Sequence, residues 1–550
     1  MKGARLFLEA AHRHGVRKAF GIVGGEANAI RFDEVPDLKF YLTRHEFVAG
    51  VAADVYARLT GQMQIAYSTF GPGLTNLSTG IASAMLDRSP MLAVSAQVDR
   101  ADIVYNITHQ CLENAAIMRP FTKFSHELTS VAEIPEIVAR ASKAAKSELP
   151  GPSYVSFPRD LMAADIDDQE AARLLDAMES SEAPPAPEPV RSELEWIAER
   201  IKGAKKPIAL AGNVVIREGA VAELRQFLEA WGIPLITTLA SKGLLREDHP
   251  LHIGAVNKYL DGILHDRILD SVFGDCDLML LLGFDYGEDV KPPMWTRNPA
   301  QQTVMYGPHP NLIEKVFKPA RVAVGGMKKG LATLTSLAPK GRAVSAPPDF
   351  IQSLRDKKAR SGANPIQEYP TVPPQTIVRL VRDAIGPDGI YCTDIGLHKQ
   401  YNGLFSETFS PNTFICSNGC GTFGFGLPAG MAAKLAHPDK RVAVVCGDGG
   451  FHSTSQDLET LVRYNLPIVI VMMKDNSFGL IKYYQLTGAE NIHSNAVDFG
   501  DVDFVKLAEA NGCRGAFVTS RQMLQDRLEE AFTHKKPTLI EVPVRYQYRF

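Results

Sequence analysis

Two stretches of this chain follow one plan: a short apolar run, a turn with glycines, a helical pattern, a proline and a second apolar run. In STFGPGLTNLSTGIASAMLDRSPMLAVSA, Gly71 opens the turn and Pro90 follows 19 residues later. In VVCGDGGFHSTSQDLETLVRYNLPIVIVMM, Gly447 and Pro467 are 20 residues apart. Apolar runs such as Val442–Cys446 and Ile468–Met473, bounded by glycine and proline, read as buried strands. Strands that alternate with helices predict a parallel sheet covered on both faces. Ligands of such a sheet bind beyond the carboxyl ends of its strands.

The second stretch places acids at that edge. Asp448 follows the strand Val442–Cys446 inside the turn Gly447-Asp448-Gly449-Gly450, and Asp475 follows Ile468–Met473. Glycines there let a ligand approach the backbone closely. Paired carboxylates suit Mg²⁺, which takes a few of them together with phosphate oxygens and water. Thr454 and Asp457 are spaced for a capping box before a helix marked by Leu458, Leu461 and Val462. The plainer alternative is a glycine turn of any α/β protein, with Asp475 and Asn476 closing a strand.

A length of 550 residues accommodates about three domains. Alternating strands and helices over residues 1–165 predict the first, 191–340 a central one and 375–550 the last. The acidic, proline-rich stretch 166–190 and the loose stretch 341–374 read as linkers. The fold class is therefore α/β, with three doubly wound parallel sheets. A net charge of −3 gives no basic surface for nucleic acid. Runs such as Leu278–Leu282 are far too short to span a bilayer. The opening MKGARLFLEAAHRHGV reads as an amphipathic helix rather than a signal peptide. Seven scattered cysteines without a CxxC pair predict reduced thiols in a cytoplasmic protein.

The Gly447-Asp448-Gly449 turn, the 27-residue step to Asp475 and the Asn476 after it resemble the diphosphate–metal motif of thiamine-diphosphate enzymes. Within the acetohydroxyacid synthase-like superfamily, LTRHEFVAGVAADV, GPGLTNLSTGIA, LDRSP, THQCLE, GFDYGEDVKPPMW and GDGGFHSTSQDLET are similar to segments of N2-(2-carboxyethyl)arginine synthase. The resemblance implies pyrimidine-binding, central and diphosphate-binding domains, with thiamine diphosphate and Mg²⁺ as cofactors and no FAD. Asp448, Asp475 and the backbone carbonyl of Ser477 would hold the metal, with Asn476 replacing Asp475 after a one-residue slip. Gly71, Gly396, Leu397, His398, Gly447, Gly449 and Gly450 would line the cofactor, and Phe423 would stand under its bend or simply pack in the core. Glu46 would hydrogen-bond N1′ of the pyrimidine, where a buried carboxyl can share a proton. His109 and Gln110 would face C2, placed to polarise a carbonyl or move protons. The alternatives are a surface acid opening a helix at Glu46 and a loop histidine without a role at His109.

The same resemblance implies a transferase that joins a three-carbon unit from glyceraldehyde 3-phosphate to an amino acid or amine through an acryloyl adduct of the cofactor. An acetolactate-synthase-type carboligase or 2-oxoacid decarboxylase is the alternative. Asp285, with Tyr286, Glu288 and Asp289, could receive a cationic amine or equally form a solvated loop. Lys399 and Gln400 stand where the arginine-adding enzyme carries a different basic residue and a histidine, so the substrates can differ. A homodimer or homotetramer with active sites at the subunit interface is expected.

Overall fold

The computed structural model describes residues 1–25, 29–105, 109–256, 273–288, 290–296, 298–309, 317–340, 346–361, 371–487 and 494–546. These residues build three parallel six-stranded sheets flanked by helices. The first holds β1 (Lys18–Gly21), β2 (Lys39–Leu42), β3 (Gln64–Ser68), β4 (Met91–Gln97), β5 (Phe124–Glu127) and β6 (Pro152–Pro158) in the order β2-β1-β3-β4-β6-β5. The central sheet holds β7 (Pro207–Ala211), β8 (Leu235–Thr238), β9 (His252–Val256), β10 (Leu278–Leu282), β11 (Gln302–Gly307) and β12 (Arg321–Val324), ordered β12-β11-β10-β7-β8-β9. The last holds β13 (Ile390–Thr393), β14 (Phe414–Ile415), β15 (Val442–Gly447), β16 (Val469–Lys474), β17 (Arg514–Phe517) and β18 (Thr538–Pro543), ordered β14-β13-β15-β16-β18-β17. Position for position, the first and last sheets have the same order, as the paired sequence plan predicts.

The central strands are apolar because both faces are covered. β4 and β16 are buried along their whole length, a pattern that parallel sheets impose by carrying helices on each side. A single core joins the first and last domains: residues such as Val48, Ala52 and Val55 pack in one cluster with Leu427, Met431 and Val444. The helix Glu46–Thr60 meets the helix Gly426–Ala436 there. Both are rich in alanine and glycine, which lets the backbones approach.

Several local expectations change. The stretch expected as a linker carries a helix, Asp168–Asp176, capped by Asp167 and burying Ala171 and Leu175 against the first domain. The second expected linker carries the helix Pro348–Ser361. Thr454 and Asp457 form no capping box. A 3-10 turn, Ser455–Asp457, precedes the helix Leu458–Arg463, and the Thr454 side chain makes no cap bond. The amino-terminal helix runs Gly3–Arg13. Among the described residues no helix is long and apolar enough to cross a membrane.

Candidate active site

In the last sheet the strand order reverses between β13 and β15, and the expected cofactor residues follow those two strands. The His398 ring stands between two glycines. A Cβ on Gly396 would come within 2.6 Å of its Cε1, and one on Gly447 within 3.1 Å of its Nδ1. His398 is buried, Nε2 has no partner among the described residues, and burial pushes its pKa down to about 3. The Cε1–Nδ1 edge of the ring faces the two glycines and Nε2 is the atom left over; a partnerless ring nitrogen beside glycine turns suits a phosphate oxygen, whose charge would favour a proton on the ring. Leu397 is buried beside it.

Asp448 directly follows β15 and Asp475 directly follows β16, two neighbouring strands. Asp448 accepts the N–H of Gly449 at 3.1 Å on Oδ1 and that of Asn476 at 2.7 Å on Oδ2. Asp475 Oδ2 accepts the Ser477 hydroxyl at 2.8 Å. Burial raises the Asp448 carboxyl above its ordinary value. Burial first, and then the charge of Asp448, push Asp475 up to about 7. Two buried carboxylates that repel one another are what a divalent cation relieves. Asn476 is left-handed at φ 53°, and its buried Oδ1 has no partner among the described residues. The backbone of Asn476 thus lies against Asp448, and its side-chain oxygen is left over. Ser477 bridges to Asp498. This donor set fits a magnesium-bound diphosphate.

Phe423 does not sink into the core. It is 50% exposed and meets Phe478 edge-on with ring centroids 6.0 Å apart. Phe478 in turn lies against Gly449, where an added Cβ would come within 2.9 Å of its ring. Gly450 lies against Asp394, an acid the sequence reading passed over. Asp394 Oδ1 takes the N–H groups of Ile395 at 2.6 Å and Gly424 at 2.9 Å, and Oδ2 that of Gly426 at 3.2 Å. Burial pushes this carboxyl up to about 6 against those bonds. Its signal was present in the sequence: it follows β13 as Asp448 follows β15.

The first domain holds the other group. Glu46 is 7% exposed, so the surface-acid reading fails, and it accepts Asn76 Nδ2 at 3.1 Å. Asn76 lies in the first turns of the helix Pro72–Leu86 that follows Gly71, and nothing in its sequence neighbourhood marks it. Gly71 has φ 61°, and Gln110 fills the space a side chain there would need, its Cβ 2.8 Å from the missing Cβ position. Gln110 thus joins Gly71, Gly73 and Glu46 in one cluster, while the neighbouring His109 is exposed. Asn106–Thr108 lie outside the described residues.

Of the expected substrate residues, Lys399 and Asp285 are engaged elsewhere. Lys399 is buried and donates to the Ser417 carbonyl at 2.7 Å. Gln400 is buried, and its Oε1 has no partner among the described residues. Asp285 pairs with Arg88 at 3.1 Å and Arg217 at 3.4 Å. Burial acts to raise its carboxyl, but the two guanidinium groups outweigh burial and hold it below the ordinary range. Glu288 accepts the Thr238 hydroxyl and the N–H of Asn213 at 2.9 Å, and burial pushes it up to about 7. This loop is therefore not the free acidic patch that a cationic amine needs. Asp289 lies outside the described residues.

Three family descriptions match in order: thiamine pyrophosphate enzyme, N-terminal TPP binding domain, over residues 1–117; its central domain over 194–336; and its C-terminal TPP binding domain over 394–542. A probable acetolactate synthase large subunit of Methanocaldococcus jannaschii is 30% identical over 99% of this chain and 92% of its own length. An acetolactate synthase of Bacillus subtilis is 29% identical over 99% and 93%. The acetolactate synthase isozyme 2 large subunit of Escherichia coli is 29% identical over 99% and 96%. These comparisons support a likeness to acetolactate synthases over nearly the whole chain and give no support to a particular closeness to carboxyethylarginine synthase. The chain belongs to the thiamine pyrophosphate enzymes.

Proposed function

We propose that this chain is a thiamine-diphosphate-dependent carboligase of the acetolactate-synthase type. It would release CO₂ from a 2-oxoacid such as pyruvate and join the remaining two-carbon unit to a second 2-oxoacid. The observation that carries this choice over transfer to an arginine-like amine is the internal neutralisation of Asp285 by Arg88 and Arg217. The full-length likeness to acetolactate synthases supports the same side.

When bound, the cofactor would supply an acidic carbon, C2, whose conjugate base is a carbon nucleophile, and a cationic thiazolium ring that can act as an electron sink for decarboxylation. The chain's own residues do the rest. Asp448 and Asp475 hold Mg²⁺ with the Ser477 carbonyl, Asn476 Oδ1 being the other candidate oxygen. His398 and the backbone around Gly396, Gly447, Gly449 and Gly450 bind the diphosphate. Glu46, oriented by Asn76, is the carboxyl placed to hydrogen-bond N1′ of the pyrimidine. Gln110, beside Gly71, and the neighbouring His109 donate hydrogen bonds to the reacting carbonyl. Phe423 and Phe478 form an apolar lip that excludes water. Two pyruvate anions and one proton become one acetolactate anion and one CO₂, so no oxidant is needed.

A flavin is not part of this reading. At the reversal between β7 and β10, the N–H of Asn213 that would face a nucleotide phosphate is taken by Glu288. Because Glu46 and the metal pair belong to different domains, we expect a homodimer, or a tetramer of two, in which a second copy presents its first domain over the metal pair. All seven cysteines are free, which suits the cytoplasm.

The test is turnover of pyruvate with thiamine diphosphate and Mg²⁺. One CO₂ and one acetolactate for every two pyruvates supports the proposal. Absence of CO₂, with consumption of glyceraldehyde 3-phosphate when arginine is present, would return the reading to amine transfer.

A further inference from the structure

The turn Leu86-Asp87-Arg88 at the end of the helix Pro72–Leu86 touches both other domains. Arg88 is left-handed at φ 59° and reaches Asp285 of the central domain. Asp87 turns the other way. Its Oδ1 accepts the N–H of Gly419 at 2.9 Å and of Asn418 at 3.2 Å, both in the last domain. Its Oδ2 pairs with Arg58 at 2.7 Å, and Arg58 also binds Asp54 and donates to the Cys416 carbonyl at 3.0 Å. Gly419 is pressed on the turn so closely that a Cβ there would lie 2.5 Å from Leu86 Cβ. Asp87 has a side chain only 3% exposed, and it is committed to a strap of another domain.

That strap, residues 416–426, is tied at both ends. Its start rests on Asp87 and Arg58. Its finish hangs from Asp394 through the N–H groups of Gly424 and Gly426, next to His398. Between the ties lies Phe423, half exposed with one aromatic neighbour, so its height is set by the ends of the strap and little by packing around it.

We propose that Asp87, held by Arg58, is a positioning residue that fixes the strap and through it the placement of Phe423 against the cofactor. The proposal rests on the thiamine-diphosphate reading. It assigns the Asp87–Arg58 pair a task beyond domain cohesion: the first domain tunes, in the same chain, a loop of the diphosphate-binding domain. Displacing Phe423 leaves the diphosphate grip of His398, Asp448 and Asp475 intact while changing how the two rings of the cofactor face one another.

The test uses the holoenzyme with Asp87→Asn, Gly419→Ala and, as a destabilised control away from the strap, Leu194→Ala in the central core. Three quantities are read: amide hydrogen exchange of the 417–426 segment, exchange of the cofactor's C2 proton in D₂O after acid quench, and affinity for thiamine diphosphate. Asp87→Asn is expected to speed amide exchange in that segment and slow C2 exchange by about tenfold to a hundredfold. Cofactor affinity should change by less than about threefold. Gly419→Ala, which wedges the same contact without altering charge, should do likewise, and Leu194→Ala should do neither. C2 exchange at the wild-type rate in both strap variants would overturn the proposal alone. A wild-type protein that binds no thiamine diphosphate would overturn the cofactor reading and this proposal with it.

Discussion

Asp457 of the last domain accepts the backbone N–H of Arg44 at 2.9 Å, two residues before Glu46. Next to it, the Tyr464 hydroxyl accepts the N–H of Leu42 at 2.8 Å. The segment that leads into Glu46 is thus held by another domain of the same chain. Asp457 Oδ1 also takes the Thr460 hydroxyl at 2.9 Å. Asp457→Ala leaves both donors without that acceptor and should cost about 1–3 kcal/mol in thermal unfolding. Tyr464→Phe removes one acceptor and should cost less. The reverse ranking would show that Asp457 does not carry this contact.

Glu46→Gln keeps the oxygen that Asn76 binds and removes the titratable proton. Turnover should fall by about 10²–10⁴-fold. The melting temperature and the affinity for thiamine diphosphate should stay close to wild type. A variant with a tenth or more of wild-type turnover, roughly one decade of loss, would remove Glu46 from the chemistry.

Two substitutions at Asp475, to Asn and to Ala, separate its charge from its oxygen. Its folded pKa of about 7 lies above the ordinary 3.8, so the folded chain binds that proton more tightly than the unfolded one. Stability from this group is present at low pH and is lost as pH rises through 7. At pH 8 the metal-free Asp475→Asn variant should therefore melt a few degrees higher than wild type, measured by calorimetry. Asp475→Ala, which leaves no side-chain oxygen at that position, should lose the stabilisation that cofactor plus Mg²⁺ gives. If Asn476 is the ligand, Asn476→Ala loses that stabilisation and Asp475→Ala retains it.

Glu288 has the same sign in a different place. Its folded pKa of about 7 exceeds the ordinary 4.5, so its contribution is complete below that value and is lost as pH rises through 7. Glu288→Gln can donate to Thr238 and accept from Asn213 at any pH. The variant should have a flatter stability profile between pH 5 and 8, with a gain on the order of 1–3 kcal/mol at the alkaline end. An unchanged slope would mean another group titrates there.

Local signals made part of this molecule legible. Acids two residues beyond apolar runs singled out Asp448 and Asp475, and the matched glycine and proline landmarks anticipated two sheets of identical strand order. Glu46 was singled out by the family resemblance of LTRHE. The rest depends on partners far along the chain. Nothing near GFDYGED says that Asp285 is spent on Arg88, 197 residues away. Lys399 reads as a charge available to a substrate until its bond to Ser417 is seen. In the stretch expected as a linker, acidic residues masked the apolar face of Ala171 and Leu175, which only the first domain's core reveals. Thr454 and Asp457 had capping spacing, but Asp457 makes a stronger use of its carboxylate across the domain boundary.

The central claim is that carboxylates on two adjacent strands grip a magnesium-bridged diphosphate. Titration calorimetry of thiamine diphosphate into metal-stripped protein, with and without Mg²⁺, tests it most directly when repeated on Asp448→Asn. The account predicts saturable binding of one cofactor per chain that requires Mg²⁺ and disappears in the variant. Equal affinity without the metal, or in Asp448→Asn, would contradict it.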